Sequence, residues 1–251
     1  MKIEILNKKL NLFKIENFLS DQEYKIIKES FPKINFSEAL QKSKNNDLKY
    51  QLKFGDTEND KYFKNNKGMQ ILIEKLISKR FLKKIYYNFL FKFIIIRKKN
   101  FFNFFFPLNI LINEEEHSYL KNNLKLNIDY SYIFDGGSIK PHTDSKRKIL
   151  TLMLYFPDFE EDKDDLKIKE ENIGTQFYES LINNFNNKDV NKISNLFFDK
   201  KNTKKSLKTN FKKNTIYGFI KSKNSWHSVE KFNVKEGYIR KSININLYSL
   251  S

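Results

Sequence analysis

From Tyr238 to Tyr248 the chain alternates without a break, with Tyr238, Arg240, Ser242, Asn244, Asn246 and Tyr248 on one side and Ile239, Lys241, Ile243, Ile245 and Leu247 on the other. A period of two is the mark of a β-strand, because successive side chains leave opposite faces of the backbone. Lys235-Glu236-Gly237 supplies a turn just ahead of it. In an ordinary half-exposed sheet the polar face of such a strand meets water. In a small barrel or jelly roll the polar face lines an internal pocket instead, and the aliphatic face packs beneath helices.

Two more segments read as strands. Asn127 to Phe134 places Ile128, Tyr130, Tyr132 and Phe134 on one side and Asp129 and Ser131 on the other, and Asp135-Gly136-Gly137 breaks it. Ile149 to Phe156 is apolar and aromatic, and Pro157 closes it. Between them lies Pro141-His142-Thr143-Asp144. One residue separates His142 from Asp144, so on extended backbone both side chains leave the same side and can share one ion. His227, in Ser225-Trp226-His227-Ser228, completes a set of two imidazoles and one carboxylate. A non-haem Fe(II) ion takes that set on one face, with the opposite positions open. A bare His-x-Asp is common in solvated loops, but this set uses two of the three histidines in the chain. The third, His117, has no partner at a metal-binding spacing and reads as a surface residue. Trp226 reads as packing beside the ligand.

The order His-x-Asp, a distant histidine, then Arg240-Lys241-Ser242 resembles the Fe(II)/2-oxoglutarate-dependent dioxygenases, most of all their prolyl 4-hydroxylase-like branch. The resemblance runs from about Tyr130 to Leu247, with a weaker echo at Ile15–Ser20. It implies an α+β fold with a mainly β core, a double-stranded β-helix (jelly roll) supported by N-terminal helices. It implies that His142, Asp144 and His227 hold Fe(II), and that 2-oxoglutarate is the co-substrate. The far carboxylate of 2-oxoglutarate would rest on the planar fork of Arg240, helped by Ser242 and Tyr155. Tyr132, ten positions before His142, would lie near the co-substrate. With O2, the expected reaction is hydroxylation of an unactivated C–H bond, with release of succinate and CO2. The substrate would be a small metabolite, a sugar or a peptidyl residue. The stretch from Asp144 to His227 is longer than a minimal core requires, and the spacing from His227 to Arg240 is slightly long for the prolyl hydroxylases, so their substrate does not carry over. Intact Asp144 speaks against the halogenase variants. The alternative reading is a non-catalytic jelly-roll or cupin-like module that binds a metal or ligand. Arg240 with Ser242 discriminates, since a mere metal-binding barrel has no use for a buried carboxylate fork.

The 251 residues suit a single oxygenase domain. Residues 1–125 read as helical and strand support, and 126–251 as the jelly-roll core. An insertion at about 180–213, helical in part, would form a lid. Ser20 and Glu23 make a capping box for a helix carrying Tyr24, Ile27 and Phe31, ended at Pro32. A second helix is predicted from about Met69 to Tyr86. Absent cysteine leaves a metal to nitrogen and oxygen donors and suits the cytoplasm. The N-terminus lacks a signal peptide's apolar stretch, and the apolar region from Phe89 to Pro107 is interrupted by charge, so no transmembrane segment is expected. It reads as buried packing. The net charge of +17 and pI of about 9.6 favour anionic partners in general. The lysine excess, however, accompanies much asparagine, isoleucine and phenylalanine, the composition that an A/T-rich genome imposes on any protein. No nucleic-acid-binding motif is present, so no specific nucleic-acid partner is expected. The basic run Lys200–Lys213 and the acidic knot Glu160–Asp165 read as solvated loops. Oligomeric state is not written in the chain.

Overall fold

The computed structural model describes residues 2–54, 56–78, 80–81, 84–85, 88–89, 111–113, 118–121, 124–145, 147–158, 171–180, 203–222 and 225–249. Eight strands form the core: β6 (Leu124–Phe134), β7 (Ile139–His142), β8 (Lys148–Phe156), β9 (Gln176–Ser180), β10 (Thr203–Lys208), β11 (Thr215–Ile220), β12 (Trp226–Val229) and β13 (Ile239–Ser249). They divide into a larger sheet ordered β11-β8-β13-β6 and a smaller one ordered β10-β9-β12-β7. The chain crosses between the sheets at every step except from β9 to β10. That order is the double-stranded β-helix.

Five further strands widen the larger sheet: β1 (Glu4–Asn7), β2 (Leu12–Glu16), β3 (Lys49–Lys53), β4 (Leu111–Asn113) and β5 (Ser118–Lys121). β2 pairs with β11, and β3 pairs with β6. Helices α1 (Asp21–Glu29), α2 (Phe36–Ser43), α3 (Asp60–Phe63) and α4 (Lys67–Ile77) complete the support.

Two apolar layers follow from the period of two. Ile128, Tyr130, Tyr132, Leu152, Leu154, Ile243 and Ile245 form one layer with Ile27 of α1 and Leu72 and Ile73 of α4. Ile133, Met153, Tyr155, Phe177, Phe219, Val229 and Tyr238 form the second. The aliphatic face of β13 therefore packs toward helices, as its alternation predicts. In β13 the register places Arg240 opposite Ile133 and Ser242 opposite both Ser131 and Tyr155.

The capping box of α1 is present: Ser20 Oγ accepts from the Glu23 amide at 3.2 Å, and Glu23 accepts from the Ser20 amide at 2.7 Å. Glu23 also pairs with Lys75 of α4 at 2.9 Å. α1 and α4 approach so closely that a Cβ on Gly68 would stand 1.9 Å from Ser30 Oγ and 2.8 Å from Ile27 Cα. The helix predicted to run to Tyr86 ends at Ile77, where Ser78 turns extended with ψ 137°. Ser78 Oγ then accepts from the Phe81 amide at 3.2 Å and starts a new helical stretch through 80–81, 84–85 and 88–89. The apolar periodicity continues across this break, so it does not reveal the serine that redirects the chain.

Within the stretch read as an insertion, Thr203–Lys208 is the barrel strand β10, paired with β9. Its lysines face outward: Lys205 and Lys208 both pair with Glu230. Residues 181–202, the acidic knot, His117 and most of the region from Phe89 to Pro107 lie outside the described residues. No described helix is long and apolar enough to cross a membrane.

Candidate metal centre

His142 ends β7 and His227 lies in β12, and the two are register partners across the smaller sheet. Partners in register send their side chains to the same face, and the two ring centroids are 4.4 Å apart. Each Nδ1 sits against a main-chain carbonyl, that of Lys140 at 2.8 Å for His142 and that of Ser225 at 3.0 Å for His227. A carbonyl only accepts, so each Nδ1 carries the hydrogen and each Nε2 presents a lone pair. Phe219 packs against the His227 ring at 4.8 Å and helps keep it dry.

Asp144 follows β7 and is buried. Its Oδ1 accepts from Lys148 Nζ at 2.7 Å, and its Oδ2 from Thr151 Oγ1 at 2.9 Å. Lys221 Nζ donates to the Asp144 main-chain carbonyl, tying the turn to the end of β11. Burial pushes the Asp144 carboxyl up, but the Lys148 ammonium and the two imidazoles outweigh it and hold the group well below the usual carboxylate range. Burial, with the neighbouring His142, drives His227 down to about 3. Burial also lowers His142 from its ordinary 6.5. Near neutral pH the set is therefore one carboxylate and two neutral imidazoles, with one donor atom of each residue within 4.8 Å of the others. These residues fit a divalent transition metal held by nitrogen and oxygen.

The triad opens on a cavity of about 230 Å³ that Arg240 and Ser242 also line. Arg240 is buried, its guanidinium 5.0 Å from the Tyr155 ring centroid and 4.9 Å from that of Phe211. Its Nε donates to the Ile173 carbonyl at 2.8 Å, which fixes the direction of the fork. Lys241, its neighbour in sequence, faces the other way and pairs with Asp158 at 3.0 Å. Ser242 Oγ donates to Asn244 Oδ1 at 3.4 Å.

Of the two tyrosines predicted to lie near the co-substrate, neither lines the cavity. Tyr155 lies beneath Arg240, and its hydroxyl shares hydrogen bonds with Thr175 Oγ1 at 2.9 Å and Thr209 Oγ1 at 3.2 Å. It holds the arginine in place. The assignment of Tyr132 to the co-substrate is corrected by the geometry. Its hydroxyl donates to the Pro32 carbonyl at 2.8 Å, and its ring packs on Phe31 and Tyr50. The reason is register: Tyr132 stands opposite Lys241, the outward residue of β13, whereas Ser131 stands opposite the inward Ser242.

Sequence reasoning missed Lys148, Thr151, Lys221 and Lys49. Thr151 had a signal, being the lone polar residue in the run from Ile149 to Phe156. Lys49 had none, because it reaches the cavity from β3, far upstream of the motif.

Fold and site together define a double-stranded β-helix in which a His-x-Asp…His group able to hold a metal and a buried arginine share one cavity. No family model matches this sequence, and no curated protein does. Among solved structures, a Trichoplax adhaerens prolyl hydroxylase, in complex with a peptide fragment of the hypoxia inducible factor oxygen degradation domain, aligns with 96% of this chain and 84% of its own, at 11% identity and a TM-score of 0.42. A Pseudomonas putida prolyl-4-hydroxylase aligns over 96% and 94% of the two chains, at 8% identity and a TM-score of 0.39. HygX from Streptomyces hygroscopicus, with nickel and 2-oxoglutarate bound, aligns over 97% and 87%, at 6% identity and a TM-score of 0.45.

Proposed function

We propose that the chain is a single-domain Fe(II)- and 2-oxoglutarate-dependent dioxygenase that hydroxylates a C–H bond of a small-molecule or peptidyl substrate. One observation carries the reading: three metal-binding side chains and a desolvated arginine fork line the same cavity. When bound, non-haem iron(II) couples the oxidative decarboxylation of 2-oxoglutarate by O2, to succinate and CO2, with hydroxylation of the substrate. The chain's residues do the rest. His142 and His227 offer Nε2, each ring oriented by a carbonyl behind it. Asp144 offers a carboxylate oxygen and is kept ionised by Lys148 and oriented by Thr151. Arg240, held between Tyr155 and Phe211, binds the far carboxylate of 2-oxoglutarate, with Ser242 beside it. The wall formed by Phe177 and Phe219 excludes water behind His227.

Anaerobic titration of 2-oxoglutarate into the Fe(II)-loaded protein tests this. Bidentate chelation gives a metal-to-ligand charge-transfer band in the visible, expected in the native protein and lost in His142→Ala. If iron is demonstrably bound and no band forms, the chain is a metal- or ligand-binding jelly roll without this chemistry.

A further inference from the structure

The cavity has a second wall, supplied by a strand outside the jelly-roll core. β3 runs antiparallel to β6 with Lys49, Gln51 and Lys53 opposite Ile133, Ser131 and Asp129. Those three alternate residues line the cavity, whereas Leu52 and Tyr50 pack on the helix side. Lys148 reaches the same space from β8. Among the described lining residues, Lys49, Lys53, Lys148 and Arg240 are cationic and Asp129 and Asp144 are carboxylates, four against two. In the dioxygenase reading, a divalent metal and dianionic 2-oxoglutarate cancel, so the surplus of two positive charges remains to face whatever enters last.

This surplus is not that of the chain's general basic surface. Lys49 is half-buried, and burial, reinforced by the neighbouring Lys148 ammonium, pushes it down to about 8. Holding ammonium groups together away from bulk water is unfavourable unless an anion offsets them. Asp129, its carboxyl raised by burial to about 6, is one of the two carboxylates that already face them.

We propose that the substrate is a small anion, a molecule with a phosphate or carboxylate group that Lys49 and Lys53 of β3 hold beside the metal triad. The inference rests on the dioxygenase reading, which supplies the charge cancellation. Lysine suits the task as a compact point charge with rotatable donors. Lys53, at the exposed rim, meets the anion first, and Lys49 holds it deeper.

The test has two stages. 2-Oxoglutarate is first titrated calorimetrically into the Fe(II)-loaded protein under anaerobic conditions. Failure to bind there overturns the dioxygenase reading, and this inference with it, before any anion is added. Methyl phosphate and, separately, propionate are then titrated into the protein saturated with 2-oxoglutarate. At least one is expected to bind, the tighter of the two naming the anionic group. The Lys49→Gln/Lys53→Gln double variant should weaken that binding by about tenfold or more, the loss of charge-assisted hydrogen bonds. Its affinity for 2-oxoglutarate should fall much less, since Arg240 still holds the far carboxylate. The Lys49→Arg/Lys53→Arg variant, which keeps the charge, should retain anion binding and so separates charge from misfolding. The inference is overturned if neither anion binds, if the anion displaces 2-oxoglutarate, if the glutamine variant binds the anion as tightly as the native protein, or if that variant weakens 2-oxoglutarate to the same extent.

Discussion

The rings of His142 and His227 are oriented by two carbonyl oxygens, those of Lys140 and Ser225, which hold the hydrogen at Nδ1 and leave Nε2 bare. The ligand types and the two-residue spacing of His142 and Asp144 are legible in the sequence, because an extended segment fixes which side chains share a side. The partners that tune them are not. Lys148 and Thr151 meet Asp144 because the turn folds back onto β8, and the sequence marks Thr151 only as a polar residue among apolar ones. Replacing Asp144 with Ala is expected to abolish iron binding while the fold persists; undiminished iron in the purified variant would sink the ligand assignment. Replacing Arg240 with Ala removes a bidentate fork worth about 1.5–3 kcal/mol per charged hydrogen bond. The apparent requirement for 2-oxoglutarate should rise by about tenfold or more, with metal content unchanged. An unaltered requirement in steady-state assays would move the carboxylate site elsewhere in the cavity.

β6, β8, β13 and the first helix were legible as elements because each carries its own local signal: alternation for β6 and β13, an apolar run for β8, a capping box for α1. The end of α4 was not, because Ser78 terminates one helix and caps the next without interrupting the apolar stripe. β10 escaped for a different reason: Thr203–Lys208 lies at the edge of the smaller sheet, and its polar, solvent-facing residues resemble a loop. Packing between elements sets its own demands. At Gly68 a methyl group would meet the backbone of Ile27 across the α1–α4 contact. Overpacking of this kind costs about 1–3 kcal/mol, against about 1 kcal/mol of helix propensity gained from alanine. Gly68→Ala is therefore expected to lower the urea midpoint, measured by circular dichroism, and to leave metal binding to the folded fraction unaffected. A raised midpoint would show that the helices have room to separate.

In the whole molecule, ionisable groups are buried between two sheets, so stability and pH are linked. The folded state depresses His227 to about 3 and lowers His142 from 6.5, so as pH falls below 6.5 the unfolded chain takes up protons that the folded one refuses. The metal-free protein should be most stable above that value and lose stability as pH falls toward the folded pKa values. The urea midpoint at pH 5 is expected to lie below that at pH 7.5, with a smaller difference in His227→Gln. Asp129, raised to about 6, opposes this trend in both proteins, so an equal difference in His227→Gln would mean that His227 is not held neutral. Alternation and apolar runs marked β6, β8 and β13, and the one-residue gap set His142 beside Asp144, all properties of residues close together along the chain, whereas the joining of the distant His227 and Arg240 to them, like the jelly-roll class, was implied by the family resemblance. Only the tertiary structure decided which face of β6 looks into the barrel, and so set Ser131 rather than Tyr132 toward the cavity. It alone brought Lys49 and Lys53 to the triad. The physical reason is that a strand's alternation defines two faces but does not say which is inner. That choice is made by pairing with partners remote in sequence, where a shift of one residue exchanges every side chain between core and cavity.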